Sequence, residues 1–502
     1  MTEMQDAARQ RLRAGQNACL FLQLEADTET PVSAWLKLAV EGRGDFLLES
    51  VEGGRQRGRY SLIGLDADLA FRARGDMAEI NRNWRHDRDS FVAEAAPTLV
   101  ALRQLVQSIH MDVPESLPPA LSFLVGYFGY ETVALVEKLP VPADDPFGVP
   151  DMMFVRPGVL LVFDRLADML TLVAPLYAGS DIDADAAIVA ARERLESVAA
   201  RLMQPLPARP RIDVAAAQVQ PQSAVPAGRY QQMVETARSY IRAGDIFQVV
   251  LAQRFHFPFP LPPFELYRAL RRVNPSPFLY HLDLPGFAVI GSSPEILVRA
   301  RDGVVNIRPI AGTRKRGATE AEDQALEAEL RADPKEVAEH LMLLDLGRND
   351  VGRAAAPGTV RVTEKFTIER YSHVMHLVSN VVGAQKPGTD SIDALLAGFP
   401  AGTVSGAPKV RAMQIIAELE AEKRGPYAGG IGYFAPDGSM DSCIVLRTAV
   451  VKDGILHVTA GAGIVADSDP ETEQRECEAK AGALVSAARA ALSMAARPRY
   501  GQ

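Results

Sequence analysis

Cysteine is scarce in this sequence, with Cys19, Cys443 and Cys477 as the three examples among 502 residues. Three widely separated thiols are too few for a disulfide framework or for a zinc site. The scarcity favours a protein of the reducing cytoplasm over a secreted one, so we expect a cytoplasmic location.

A basic excess and a long apolar run are also absent. Lys and Arg number 54 against 63 Asp and Glu, which gives a formal net charge of −9. A phosphate backbone would repel a chain of that charge, so nucleic acid is not an expected partner. No stretch approaches the roughly 18 uninterrupted apolar residues that a membrane helix needs, and residues 1–15 lack the apolar segment of an export signal. We therefore expect no membrane association.

The composition is that of a globular protein, with 47% hydrophobic and 23% charged residues. At about 150 residues per domain, the length allows three domains or one large duplicated fold. Residues 203–228 are rich in Pro, Ala and Gln and show neither helical nor strand periodicity. We predict a linker or a surface excursion there.

Helical and strand-like patterns alternate on both sides of this segment. Helices are predicted at 95–110, 183–203, 229–243, 334–347, 408–423 and 471–492. Strands are predicted at 46–49, 121–127, 159–163, 247–255, 287–292, 430–434, 443–451 and 455–465. Short turns such as 452–454 favour neighbouring strands that pair directly, and hence an α+β fold over a doubly wound one.

One short sequence occurs twice. Gly-Tyr-Phe closes an apolar run at 126–128 and another at 432–434. Three matching residues are weak evidence for an internal duplication when taken alone.

Two glycine-rich segments resemble phosphate-binding motifs without fulfilling their requirements. Residues 461–466 match the dinucleotide pattern, but the apolar run continues past the glycines and the helix begins too late to receive a pyrophosphate. Residues 401–409 lack the spacing of a Walker loop. They predict a helix N-terminus that suits a carboxylate ligand, although an ordinary capped helix is the simpler interpretation.

Two acidic pairs stand at helical spacing, Glu336 with Glu339 and Glu473 with Glu476, and Lys480 follows on the face of Glu473. Four converging carboxylates would form an oxygen site for Mg²⁺. Solvated helix faces are the simpler alternative, and composition alone favours them. His376 lies among apolar residues, where a structural role is more common than acid–base catalysis.

Longer motifs carry a resemblance to a known family. In the first half and the centre they are LLES at 47–50, GDIFQVVLAQRF at 244–255, NPSPFLYHL at 274–282, SSPE at 292–295 and PIAGTR at 309–314. They continue with DPKEVAEHLMLLDLGRNDVGR at 333–353, YSHVMHLVS at 371–379, AGTVSGAPK at 401–409, GPYAGGIGYF at 425–434 and GAGIVADSDPETEQRE at 461–476. In this order they resemble the chorismate-utilising enzymes, and among these the aminating component I branch of anthranilate synthase.

The resemblance implies an α+β fold with an internal duplication, in which two sheets pack face to face between helices. It implies an N-terminal region at 17–175 that carries tryptophan regulation, and a chorismate-binding catalytic domain at 229–495. It also implies the first committed step of tryptophan biosynthesis, in which a lyase converts chorismate and ammonia to anthranilate and pyruvate.

The same resemblance implies a set of site residues. Mg²⁺ would be surrounded by Glu336, Glu339, Glu473 and Glu476 and would hold the ring carboxylate of chorismate. The substrate-binding residues would be Gly312, Thr313, Tyr427, Arg447, Gly461, Ala462, Gly463 and Lys480. Glu295 would donate a proton to the departing C4 hydroxyl. His376 and Thr403 would support the later proton transfer and elimination.

Two positions separate the subfamilies. Gln248 stands where the water-adding relatives carry a basic Lys, and Ala311 stands where aminodeoxychorismate synthases carry a nucleophilic Lys. Ammonia is therefore the expected nucleophile. Aminodeoxyisochorismate or aminodeoxychorismate synthase, and a catalytically inactive chorismate- or tryptophan-binding relative, are the alternatives.

Partners and inhibitor follow from the resemblance as well. The chain shows no amidotransferase motif, so a separate glutamine amidotransferase small subunit is expected, within a heterotetramer. L-Tryptophan is the expected feedback inhibitor. Its predicted site is built from Glu49, Ser50, Arg59, Pro277, Phe278, Leu279, Tyr433 and Cys443.

Overall fold

The computed structural model describes residues 2–52, 56–119, 121–179, 182–207, 219–371 and 374–497. Its α-helices are α1 (Thr2–Arg13), α2 (Pro31–Leu38), α3 (Thr98–Ser108), α4 (Ala184–Leu202), α5 (Arg229–Arg242), α6 (Pro263–Val273), α7 (Glu320–Ala332), α8 (Pro334–Ala354), α9 (Ser391–Gly398), α10 (Lys409–Glu420) and α11 (Pro470–Ala496).

The strands of the first part are β1 (Ala18–Glu25), β2 (Asp45–Glu52), β3 (Gln56–Leu65), β4 (Leu69–Arg74), β5 (Met77–Asn81), β6 (Val92–Ala93), β7 (Leu124–Phe128), β8 (Met152–Arg156), β9 (Val159–Asp164) and β10 (Met169–Leu176). Those that follow are β11 (Gln222–Ser223), β12 (Gln248–Pro258), β13 (Phe278–Leu284), β14 (Phe287–Ser293), β15 (Ile296–Arg301), β16 (Val304–Ile307), β17 (Ile310–Lys315), β18 (Arg361–Arg370), β19 (Val374–Ala384), β20 (Gly406–Ala407), β21 (Gly430–Phe434), β22 (Met440–Ile444), β23 (Thr448–Lys452) and β24 (Ile455–Ile464).

These strands form two antiparallel sheets of 12 strands each. Sheet A has the order β1-β10-β9-β3-β2-β13-β14-β23-β24-β12-β11, and β20 also pairs with β12. Sheet B has the order β17-β19-β16-β15-β22-β21-β7-β8-β4-β5-β6, and β18 also pairs with β19. The predicted α+β class with two sheets is confirmed.

The sheet order shows the internal duplication directly. In sheet A the two halves meet at the β2–β13 pair. Counted outward from this pair, one half has the order β2-β3-β9-β10-β1 and the other has the order β13-β14-β23-β24-β12. In sheet B the two halves meet at the β7–β21 pair, where Gly126 lies opposite Gly432. The two Gly-Tyr-Phe sequences are therefore neighbouring strands at the centre of the repeat.

Alternation along the strands builds two core layers. Phe46 and Leu47 are consecutive in β2, yet they belong to different hydrophobic clusters, because successive side chains of a strand point to opposite faces. One cluster joins the facing sides of both sheets and includes Phe128 and Phe154, whose ring centroids are 4.9 Å apart. The other lies between sheet A and the outer helices.

Several sequence predictions need correction. The single strand predicted at 443–451 is two strands, because β22 belongs to sheet B and β23 to sheet A. The chain crosses between the sheets at Arg447, which has a φ of 49°. Residues 443–446 and 449–451 are apolar on both sides of this crossing, so the hydrophobic pattern alone does not separate the two strands. The helix predicted at 408–423 ends at Glu420, where the left-handed Ala421 follows.

The two regions predicted at 17–175 and 229–495 do not form separate sheets. Strands from both sides of the 203–228 segment contribute to each sheet, so the residue ranges given for the two regions stay a prediction about the sequence. Within the segment, β11 pairs with β12, and residues 208–218 lie outside the described residues. In the described part of the chain, no helix is both long and apolar enough to cross a membrane.

Candidate active site

Glu295 occupies the short link between β14 and β15, and its carboxyl group is buried. The hydroxyl of Thr403 donates toward both carboxyl oxygens at 3.2 Å. Burial raises the pKa of Glu295 to about 8, although Thr403, the Ile310 amide and the charge of Arg447 act in the opposite direction. The group is therefore a protonated acid at neutral pH, which matches the predicted role.

His376 lies on β19, where it is paired with Thr313 of β17. Its Nδ1 is 3.0 Å from the Thr313 hydroxyl and 3.2 Å from the carbonyl oxygen of Gly312. Because a carbonyl can only accept, Nδ1 carries the proton when it bonds Gly312, which leaves Nε2 able to accept one. Burial and the nearby Arg447 lower the pKa of His376 to about 4, so the ring is neutral.

Arg447 is placed by the crossing between β22 and β23. Burial lowers its pKa, while Tyr371 and Glu295 favour its charged form. Within the described residues no carboxylate forms an ion pair with its guanidinium. A half-buried cation without such a partner suits a substrate carboxylate.

Gly461 and Gly463 on β24 leave room for two predicted site residues. A Cβ atom on Gly461 would lie 2.8 Å from the Tyr427 hydroxyl, and one on Gly463 would lie 2.6 Å from Nε2 of Gln248. Ala462 lies between them and pairs with Leu251 of β12. β23 pairs with β24 only as far as Val458, so this edge of 461–463 is free of β23. The backbone at 461–463 therefore has no strand on the side opposite β12 among the described residues, and it lies beside Tyr427 and Gln248.

The four predicted metal ligands lie on α8 and α11, where they influence one another. The pKa of Glu339 is raised by burial and then by Glu336 and Glu476. The pKa of Glu473 is raised by burial, with Glu476 acting in the same direction. Carboxylates that raise the pKa of their neighbours provide the donor chemistry of a divalent cation site.

Two protein cations already lie against these carboxylates. Arg314 is 3.1 Å from Glu336, and Nζ of Lys480 is 2.7 Å from Glu476 and 2.9 Å from the carbonyl oxygen of Gly461. In this arrangement, no three His, Cys, Asp or Glu side chains of the described residues are close enough to hold a metal ion. The donor chemistry fits Mg²⁺, but a closed coordination sphere needs side-chain movement.

A separate cavity of about 830 Å³ lies at the centre of the duplication, between β2 and β13 of sheet A and β21 and β22 of sheet B. The residues predicted for tryptophan that line it are Glu49, Ser50, Arg59, Pro277, Phe278, Leu279, Tyr433 and Cys443. The structure therefore brings all eight of them together.

Two of these residues already have ionic partners. Glu49 bonds Arg271 through two contacts of 2.9 Å and also bonds Arg165 and the Tyr267 hydroxyl. Burial alone would raise the pKa of Glu49, but these partners together hold it below its ordinary value. Arg59 forms a two-pronged ion pair with Asp164 and is half exposed. Binding of a ligand ammonium or carboxylate by either residue stays a prediction and would compete with these pairs.

Sequence reasoning missed other groups at both places. Asp441 on β22 lines the cavity, and its Oδ1 is buried and has no hydrogen-bond partner among the described residues. Tyr371 also lines the cavity, and its ring centroid is 5.5 Å from that of His376. No sequence signal marks them, because their importance depends on strands that are distant in the chain.

Comparison with known proteins agrees with this geometry. The family model for chorismate binding enzymes matches residues 46–486, and the chain belongs to that family. It is 54% identical to anthranilate synthase component 1 of Cereibacter sphaeroides over 476 residues, which cover 95% of each chain. It is 48% identical to anthranilate synthase component 1 of Thermus thermophilus over 92% of this chain and 96% of the relative.

A solved structure supports the same assignment. Anthranilate synthase component I from Streptococcus pneumoniae aligns with a TM-score of 0.72 at 34% identity, over 92% of this chain and 98% of the other. The isochorismate synthase MenF of Escherichia coli aligns with a TM-score of 0.71 at 20% identity, which supports the fold alone. The resemblance predicted from the motifs, to a chorismate-utilising lyase of the component I branch, is confirmed.

Proposed function

We propose that this chain converts chorismate and ammonia to anthranilate and pyruvate, as the aminating component of an anthranilate synthase that acts in the cytoplasm. The observation that carries the proposal is Glu295, a buried carboxyl group that is protonated at neutral pH and held by Thr403. Hydroxide is a poor leaving group, so loss of the C4 hydroxyl needs such an acid.

The first chemical step joins ammonia to C2 of the ring. As the C2–N bond forms, the ring double bonds shift, the C4–O bond breaks, and the proton of Glu295 leaves with the hydroxyl as water. In this proposal Arg447 and Tyr427 bind the enolpyruvyl carboxylate, and Lys480 binds the ring carboxylate. When bound by Glu336, Glu339, Glu473 and Glu476, Mg²⁺ would stabilise negative charge on that ring carboxylate.

The second step removes the C2 proton and breaks the C3–O bond, which makes the ring aromatic. The side chain leaves as enolpyruvate and gains a proton to become pyruvate. Nε2 of His376 is the available proton acceptor, since its Nδ1 is engaged with Gly312 and Thr313. Ala311 is buried beside this strand and has no nucleophile, and Gln248 cannot act as a base for water. These two side chains support ammonia as the nucleophile.

The nitrogen source tests the proposal. The purified chain with Mg²⁺ and chorismate should form blue-fluorescent anthranilate from ammonium but not from glutamine, because the sequence carries no amidotransferase motif. Addition of a glutamine amidotransferase small subunit should restore glutamine use. Strong glutamine-dependent activity of the chain alone would contradict this part of the proposal.

Feedback inhibition by L-tryptophan is proposed at the 830 Å³ cavity. Pro294 and Ile296, which flank Glu295 in the chain, line this cavity, and so does Ile310, whose amide acts on the Glu295 carboxyl group. An occupant of the cavity therefore contacts the residues on both sides of the proposed acid. Tryptophan inhibits only if it binds more tightly to a conformation in which Glu295 is misplaced than to the active conformation. By linkage, chorismate must then weaken tryptophan binding by the factor by which tryptophan weakens chorismate binding.

A further inference from the structure

A fully buried arginine connects three segments of the active site. Arg424 lies between α10 and β21, and its guanidinium forms a two-pronged pair with Glu420 at 2.8 and 2.6 Å. Its remaining donors reach two backbone carbonyl groups, that of Val404 at 2.7 Å and that of Val250 at 2.7 Å. All of these bonds are charge-assisted and lie away from water.

Each contact touches a segment that carries a site residue. Val404 follows Thr403, the hydrogen-bond partner of Glu295. Val250 lies two residues after Gln248 on β12, and the amide of Ala252 on the same strand donates to Glu420 at 2.8 Å.

The guanidinium also lies against two aromatic rings. The guanidinium carbon is 5.6 Å from the ring centroid of Tyr427 and 4.7 Å from the ring centroid of Tyr130. Arg424 therefore contacts the ring of a predicted substrate-binding tyrosine as well as the two backbone segments.

We infer that Arg424 is a positioning residue of the amination reaction, which fixes the Thr403 hydroxyl toward Glu295 and fixes β12 with Gln248 beside it. The inference rests on the proposed function for its kinetic consequences, whereas the contacts themselves do not depend on it. Lysine cannot replace arginine here, because one ammonium group cannot bond Glu420 and both carbonyl groups in the planar arrangement of a guanidinium.

Arg424→Lys is the informative variant because it keeps the buried positive charge opposite Glu420. We expect a folded protein whose kcat is lower by about 10- to 100-fold, since a misplacement of about 1 Å in a catalytic group has effects of that order. The Thr403 bond lowers the pKa of Glu295, so its loss should move the alkaline limb of the kcat profile to higher pH.

Thr403→Val tests whether the two residues act together. The double variant Thr403→Val with Arg424→Lys should be no slower than the slower single variant, because both changes remove the same interaction. Arg43→Lys is the matched control. Its guanidinium bonds the buried Asp45 in the first half of the chain, so a similar loss of stability is expected without a displaced alkaline limb.

Amide hydrogen exchange supplies a readout that needs no turnover. Arg424→Lys should exchange faster than the parent at 402–407 and 248–252, and Arg43→Lys should not. The inference would be overturned if the kinetic effects of the two single variants multiplied in the double variant. It would also be overturned if Arg424→Lys left the alkaline limb in place or left the exchange rates unchanged. If the parent makes no anthranilate, the proposed function fails, and the exchange comparison alone decides whether Arg424 holds these segments.

Discussion

Replacement of Glu295 by glutamine is the perturbation that tests the chemistry most sharply. At pH 7 a carboxyl group with a pKa of about 8 is roughly 90% protonated, whereas one at the ordinary 4.5 would be protonated in about 0.3% of molecules. Burial thus raises the protonated fraction of this carboxyl group at pH 7 by about 300-fold over that of an ordinary glutamate. A positioned general acid contributes about 10²- to 10⁴-fold, so Glu295→Gln should lower kcat by that factor.

The assay is a pH series of anthranilate formation. Rates must be expressed per concentration of free ammonia, because ammonium itself loses a proton on the alkaline side. For the parent, the corrected kcat/KM should fall as pH rises through about 8, when Glu295 in the free enzyme loses its proton. The residual activity of Glu295→Gln should lack this limb. A near-normal rate, or an unchanged limb in the variant, would refute the assignment.

Thermal unfolding gives an independent measure of the same group. The pKa of Glu295 is raised in the folded chain, so its carboxyl group is neutral in both the folded and the unfolded chain below about pH 4.5. Between about pH 4.5 and pH 8 the group ionises more readily in the unfolded chain, which lowers the stability of the folded chain as pH rises. The Tm advantage of Glu295→Gln over the parent should therefore grow from pH 5 to pH 8. A constant difference would mean that the carboxyl group is not buried.

Asp283→Asn is the matched control for both measurements. Burial raises the pKa of Asp283 to about 7, and this residue lies on β13 outside the active site. The substitution should produce a similar pH-dependent gain in Tm but leave the alkaline limb of catalysis in place. A displaced limb in this control would show that the limb reports general stability and not the acid.

Three further perturbations test the metal, the nucleophile and the inhibitor. Glu339→Gln should abolish turnover and remove the rise in Tm on Mg²⁺ addition, whereas Glu478→Gln on the exposed side of α11 should change neither. Gln248→Lys should promote water addition, and Ala311→Lys should give a covalent adduct or a changed product, both detectable by mass spectrometry. Ser50→Phe should fill the cavity and abolish tryptophan inhibition with the uninhibited rate largely intact, and undiminished sensitivity would contradict that site.

The sequence predicts those elements whose pattern is local. The strand at 430–434 and the last helix agree closely with β21 and α11 because hydrophobic periodicity and a proline at the helix start mark them. The duplication was visible in the sequence only as three repeated residues. The order of the sheets shows it fully, because equivalent strands keep their pairing even where their sequences differ.

Other features depend on pairings that no local pattern encodes. Apolar residues flank the crossing at Arg447 on both sides, so the pattern does not reveal it. The bonds of Arg424 depend on carbonyl groups 20 and 174 residues away. Two of the partners of Glu49, Arg165 in the turn after β9 and Arg271 on α6, are more than 100 residues away in the chain. Family motifs predict which residues react, whereas the contacts that hold Glu49 and Arg424 are visible only in the structure.

The most direct measurement is the stoichiometry of products from chorismate, ammonium and Mg²⁺ with the purified chain. We predict anthranilate and pyruvate in equal amounts. Isochorismate, or an aminated product that retains its enolpyruvyl group without release of pyruvate, would contradict it.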